Sequence, residues 1–221
     1  SSWSEGEWSD RRGWPTTVGF YEGRLWFFGN DRIWGSASDR YDSFDLDIEG
    51  DSAPVIRSIG DGPTEVLSWM LPLQRLLIGG QSKVHSAQSS SLDEPLTNTA
   101  FSLKGVSSQG VASVDAALVD KEGYYVQRNG KRVYELAADQ RSLSYGDTDI
   151  TSLVPEIGEP SIVRMAVQRQ PDTRIHCVRS DGKVAVLIFD RAEEVRCWVL
   201  VEAAAGGIVE DAVVLPGEDE D

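Results

Sequence analysis

A chain of 221 residues is long enough to bury one sizeable core, or part of a larger repetitive one. Its 36 acidic against 21 basic side chains leave a formal net charge of −15. That surface repels nucleic-acid phosphate and argues against reading DNA or RNA by sequence, although a smooth acidic wall suits a passage along which DNA slides without sticking. At 40% hydrophobic residues the composition is that of a globular domain. No apolar run approaches the ~18 residues of a membrane span, and no signal peptide opens the chain.

In chain order, Ser1–Arg12 is polar and leads into Gly13-Trp14-Pro15, so residues 1–16 are expected to form an entry linker and 17–221 the folded body. Alternating or short β-branched and aromatic runs then predict strands at Val18–Tyr21, Arg24–Phe28, Arg32–Ser36, Val66–Met70, Arg75–Ile78 and Ser82–Ala87. The pattern continues at Ala117–Val119, Tyr124–Gln127, Lys131–Glu135, Ile162–Gln168, Arg174–Arg179, Lys183–Phe189, Arg196–Val201 and Ile208–Val214. Asn129-Gly130 and Asp181-Gly182 are the strongest hairpin signals, because both central positions of a type I′ turn need positive φ. Glu22-Gly23, Gly79-Gly80 and Glu122-Gly123 carry weaker forms of the same signal. Helix is scarce: Ser152–Ile157 fits a single turn capped by Asp149 or Thr151 and stopped at Gly158, and Leu92–Thr99 is expected as loop.

These segments group into units beginning near Val18, Val66, Ala117 and Val163, with the opening strand of another near Ile208. The spacing of roughly 45–50 residues suits a four-stranded propeller blade. The expected fold is therefore all-β, a β-propeller of four-stranded antiparallel blades, about four with part of a fifth, incomplete at the C-terminus. A two-sheet sandwich is the competing architecture.

Candidate chemistry is sparse. The run Asp42–Asp51 places Asp42, Asp45, Asp47, Glu49 and Asp51 close together, but counted as a calcium loop from Asp45 its twelfth place is Ile56 and no helix flanks it. A solvated acidic loop is expected there, with no metal. Trp26 and Trp34 sit among apolar strand residues and are expected in packing or at an interface. Trp3, Trp8 and Trp14 lie outside regular strands and are expected to fasten the entry segment to the body or to a neighbouring subunit. Cys177 and Cys197 are expected as free thiols of a protein made in a reducing cytoplasm. His85 and His176 fall in strand patterns, and no nucleophile elbow, zinc-ligand spacing or phosphate-binding glycine loop occurs. No catalytic residue or cofactor is expected.

One pattern is distinctive. Trp8 and Gly13-Trp14-Pro15 lead to Phe20–Phe28, with Glu22, Arg24, Leu25 and Trp26, then to Ile33-Trp34-Gly35-Ser36 and Tyr41–Phe44. Further on come Gly123-Tyr124-Tyr125-Val126-Gln127-Arg128, Val133-Tyr134-Glu135-Leu136, Asp149-Ile150-Thr151-Ser152-Leu153, Val178–Lys183, Val186–Phe189 and the Trp198 strand. In this order the segments resemble the tail nozzle (tubular B) proteins of short-tailed bacteriophages and prophages. The turn Asn30-Asp31-Arg32 is short for that family, and the cysteines have no counterpart role.

The resemblance implies a non-enzymatic ring subunit at the distal end of a virion tail, in six copies, made in the bacterial host cytoplasm. Such a ring surrounds the DNA exit channel, lies near DNA without reading it, binds other tail proteins and enters no membrane. The residue-level reading leaves two alternatives open: a tail-associated carbohydrate-binding or depolymerising propeller, and a propeller interaction platform unrelated to phage.

Overall fold

A computed structural model of the chain describes residues 6–59, 65–91, 94–139, 144–190, 193, 195–215 and 217. Trp3, the first residues of the entry linker and the acidic residues at the very end lie outside them. The chain divides into two compact units, Ser1–Gly110 and Val111–Asp221.

In the first unit, β1 (Thr17–Tyr21), β2 (Arg24–Gly29), β3 (Arg32–Gly35) and β4 (Val55–Ser58) form one antiparallel sheet in chain order. A second sheet follows with β5 (Leu67–Pro72), β6 (Leu76–Gly80), β7 (Val84–Gln88) and β8 (Ser102–Ser107). The second unit repeats the plan. Its sheets are β9 (Ala117–Val119), β10 (Glu122–Val126), β11 (Val133–Asp139) and β12 (Ser144–Asp149), then β13 (Ile162–Gln168), β14 (Arg174–Arg179), β15 (Val184–Asp190) and β16 (Val195–Val201). The chain is all-β among the described residues, apart from short 3-10 turns at Pro155–Gly158 and Ala204–Gly206.

Strand alternation explains the cores. In the first unit Trp26, Phe28, Ile33 and Val55 project from one face of the first sheet and are buried with Leu67, Leu76, Ile78 and Ala87 of the second. The second unit buries Tyr124, Val126 and Val133 with Ile175, Cys177, Ala185 and Leu187. Within each unit the leading strands lie side by side, β1 with β5 and β9 with β13.

The sequence expectations need five corrections. The strand expected at Ile208–Val214 does not form: Ile208 and Val213 are exposed, and the segment is tied by a single backbone bond from Val209 N–H to the Gly182 carbonyl (2.9 Å). With no neighbouring strand among the described residues to receive its peptide groups, β-propensity alone makes no ladder. A fifth sheet is accordingly absent among the described residues.

The expected type I′ turns at Asn129-Gly130 and Asp181-Gly182 have positive φ only at the glycine. Gly130 N–H donates to the Gln127 carbonyl (2.7 Å) and Gly182 N–H to the Arg179 carbonyl (3.0 Å). These are turns followed by a left-handed glycine, and the Asn129 and Asp181 carboxamide and carboxylate oxygens accept from Lys131 and Lys183 N–H. The weaker signal, Glu22-Gly23, is the one with positive φ at both places (47° and 69°).

Gly79-Gly80 and Gly123 lie inside strands rather than in turns. A Cβ on Gly79 would stand 2.2 Å from the Trp69 indole, and one on Gly35 2.8 Å from that of Trp26, so each glycine lets an indole lie flat across the neighbouring strand. The turn expected at Ser152–Ile157 is shifted to Pro155–Gly158, and its N-cap, Val154, contributes no side-chain bond. Asp149 instead accepts from the Thr151 N–H (2.8 Å) and hydroxyl (2.6 Å). Finally β4, β8 and β12, the outermost strands of their sheets, form where the sequence pattern predicts none.

Candidate functional site

The acidic run Asp42–Asp51 lies within residues 36–54, the long connection from β3 to β4. Its base is built on Arg24, the first residue of β2. The side chain is buried, yet it donates to backbone carbonyls only: Ser36 (2.6 Å), Ala53 (2.7 Å) and Asp51 (2.5 Å). One guanidinium thus closes the loop where it leaves and where it returns. Burial lowers the Arg24 pKa, while Asp39, Asp51 and Glu22 pull in the opposite direction. Beside it the Ser36 hydroxyl accepts from Leu25 N–H (3.0 Å), and Asp39 N–H donates to the Gly23 carbonyl (2.8 Å).

Beyond this base Asp42, Asp45, Asp47, Glu49 and Asp51 are all exposed. Asp47 N–H caps back onto the Asp45 carboxylate (3.0 Å), and Asp51 accepts from the Thr99 hydroxyl (3.3 Å). Among the described residues no three His, Cys, Asp or Glu side chains are placed to share a metal ion. The surface these carboxylates make is suited to electrostatic exclusion.

Phe44, set between Asp42 and Asp45, turns inward. It lies 6.2 Å from the Trp8 ring and 5.8 Å from that of Phe27, and Trp8 in turn meets Phe27 at 4.8 Å and Trp34 at 5.7 Å. Two of the sequence candidates, Trp8 and Trp34, are thereby joined to the acidic loop in one aromatic cluster. A short hairpin of the entry segment, bridged from Ser9 to Gly13, delivers Trp8 to that position.

Trp26 belongs to the opposite face, with its Nε1–H donating to the Tyr21 carbonyl (3.0 Å). Trp14 stands apart and is 58% exposed, its Nε1–H donating to Asp10 (3.0 Å). Trp26 and Trp34, being buried, offer no ring face to a sugar.

A cleft of about 400 Å³ opens beside the cluster, lined by Glu7, Arg12, Asn30, Asp31, Arg32 and Trp34. Its charges already answer one another, since Glu7 bridges Arg12 (3.2 Å) and Arg32 (2.5 Å).

The second unit holds polar contacts that sequence reasoning missed. Glu135, 6% exposed, accepts from the Tyr124 hydroxyl (2.6 Å) and from Arg196 (2.7 Å). Tyr124 has no exposed surface, so this carboxylate–phenol pair meets no substrate as it stands; the phenol ties β10 to β11, and Arg196 ties β11 to β16. Arg179, at the end of β14, forks onto Asp181 (3.2 and 2.6 Å) and donates to the Ile157 carbonyl (3.2 Å). Burial pushes the Asp181 carboxyl up, but the hydrogen bonds from Arg179 and Lys183 and their charges outweigh it and hold the pKa below the ordinary value. His176 pairs with Gln168 (3.0 Å), its pKa lowered by burial and then by Arg174. The only sequence cue to either arginine is a hairpin glycine nearby, and it carries no information about loop carbonyls.

Compared with known proteins, the chain matches no family model and no curated protein sequence. Among the described residues no helix is long and apolar enough to cross a membrane.

Proposed function

We propose that this chain is the β-propeller portion of a tail nozzle subunit from a phage or prophage, a structural ring component around a DNA exit channel. The observation that carries the reading is the repeated architecture: four chain-ordered, four-stranded antiparallel sheets, with a shared core and adjoining leading strands in each unit. This is how propeller blades are built and stacked. The ordered family-like segments of the sequence supply the nozzle part of the proposal.

The role is mechanical and electrostatic. Stiff hairpin blades resist deformation, and the exposed carboxylates of Asp42, Asp45, Asp47, Glu49 and Asp51 keep passing DNA from adhering. Binding of other tail proteins, assembly in six copies and a place in the virion tail belong to the same proposal.

Electron-microscopy class averages of the assembled protein, taken with its native mass, test it. A closed ring with a channel of at least about 20 Å, wide enough for duplex DNA, is the expected result. A monomer or small dimer under assembly conditions would overturn it and turn attention to glycan binding. In assembled virions, changing the five loop carboxylates to Lys is expected to slow DNA ejection while leaving assembly intact; unchanged ejection would remove the loop from the mechanism.

A further inference from the structure

Each sheet ends in an outermost strand, and three of these are guarded. β4 (VIRS), β8 (SLKGVS) and β12 (SYGDTD) carry charges, glycine or turn residues that discourage another strand from pairing. β16 reads VRCWVLV, seven residues without Lys, Gly or Pro. Its one charge is spent elsewhere, because Arg196 reaches Glu135 (2.7 Å), and Trp198 donates to the Ile150 carbonyl (3.0 Å). Among the described residues β16 pairs with β15 alone, and no backbone hydrogen bond is made on its outer edge.

The open face of this sheet carries Arg164, Gln168, Arg174 and His176 on its β13–β14 side and becomes apolar toward β15 and β16. Val178, Val184 and Val186 form a cluster there, with Ile188, Val209 and Ala212 packed on it. Register places Val199 opposite Val186 and Val201 opposite Val184, hence on the same face. The tail residues Val209 and Ala212 shelter the β14–β15 side, while Val195, Val199 and Val201 remain 44–47% exposed.

We propose that β16 is a self-association edge, occupied by β16 of a second copy of this chain running antiparallel. The occupant follows from the strand's own pattern. A two-fold axis at Trp198 sets Val195 opposite Val201 of the other copy and Cys197 opposite Val199, all on the apolar face. On the other face Arg196 meets Leu200, so no like charges are opposed, despite a chain charge of −15. The strand is therefore complementary to itself, as an isologous contact requires. The pairing extends the sheet across the axis and completes the row of β-branched side chains that the tail leaves bare.

This pairing does not depend on the ring reading, which concerns a channel and not this edge. Cys197 reports on it directly, being exposed, whereas Cys177 is fully buried with its thiol pushed up to about 12 and does not compete. The test is sedimentation velocity of the 221-residue chain, with short-spacer bismaleimide crosslinking, for the native sequence and for Val199→Lys and Val201→Lys.

Association with a Cys197–Cys197 crosslink is expected for the native chain. A loss of crosslinked product of at least about tenfold is expected in either variant, since two lysines enter one short ladder. Unchanged far-ultraviolet circular dichroism checks that these exposed positions leave the fold alone. A native chain that stays monomeric at high concentration, or association that is indifferent to both lysines and gives no Cys197 crosslink, overturns the proposal. Rings seen without that crosslink would leave the ring reading standing and this one refuted.

Discussion

Both units hang a long connection on one buried arginine, and they balance its charge differently. Arg24 donates only to the carbonyls of Ser36, Asp51 and Ala53, and so closes residues 36–54 without a direct carboxylate partner. Arg179 holds the Ile157 carbonyl with one amino group while forking onto Asp181 with the others. At Arg24 every hydrogen bond goes to a neutral carbonyl on one of two chain segments, with carboxylates acting only through their field. A carboxylate makes a stronger local pair, but one that pH can reach.

The largest expected effect separates the two. Arg24→Met leaves three carbonyls without their donor and should cost about 3–4 kcal/mol in denaturant unfolding, with amide exchange accelerated across residues 36–54. Arg24→Lys is expected to rescue little, because an ammonium does not span both ends of the loop. Arg179→Met should cost less, about 2 kcal/mol, since Asp181 is partly exposed and recovers hydration. Equal costs would dissolve the comparison.

Trp8→Ala tests the second fastening of the acidic loop, the cluster with Phe27, Trp34 and Phe44. It should cost about 1–2 kcal/mol and speed proteolysis within residues 6–15 and 36–54, leaving the second unit unaffected.

The smallest effect is one of pH. The Asp181 carboxyl lies below its ordinary value in the folded chain, so the pair's contribution is complete above the ordinary carboxylate range. It is lost as pH falls through the lowered folded value. Asp181→Asn should therefore flatten the acid limb of second-unit stability by about 1 kcal/mol or less. An unaltered acid limb would remove Asp181 from the account.

The inner strands are legible because burial writes itself into sequence. Arg24–Phe28 and Arg174–Arg179 alternate as their two faces require, and Ile162–Gln168 begins and ends where expected. The outermost strands β4, β8 and β12 are not legible, for the same reason, whereas β16 with its valines and Trp198 is. SYGDTD in β12 is held by its ladder to β11, with little apolar pattern to announce it, and Gly146 and Asp147 imitate a turn. Ile208–Val214 fails in the opposite sense, having the pattern without a partner strand among the described residues.

Gly79-Gly80 imitates a turn in sequence because a glycine permits a bend and also permits close approach, and only the indole of Trp69 shows which is used. The exposed acidic loop can be read from composition. Its clasp cannot, because the carbonyls that Arg24 holds belong to no residue type.

The strand order carries a consequence for how the chain assembles. Every sheet is a meander whose hairpins join neighbours in sequence, so contact order within a sheet is low and pairing proceeds locally. The 36–54 connection is the exception in the first sheet: β4 must return across a long loop before its ladder repays the closure entropy. Arg24 has no full set of acceptors until that return is complete. Its dehydration is thus expected late on the folding route and its release early in unfolding, which makes β4 the strand at which the first unit begins to come apart.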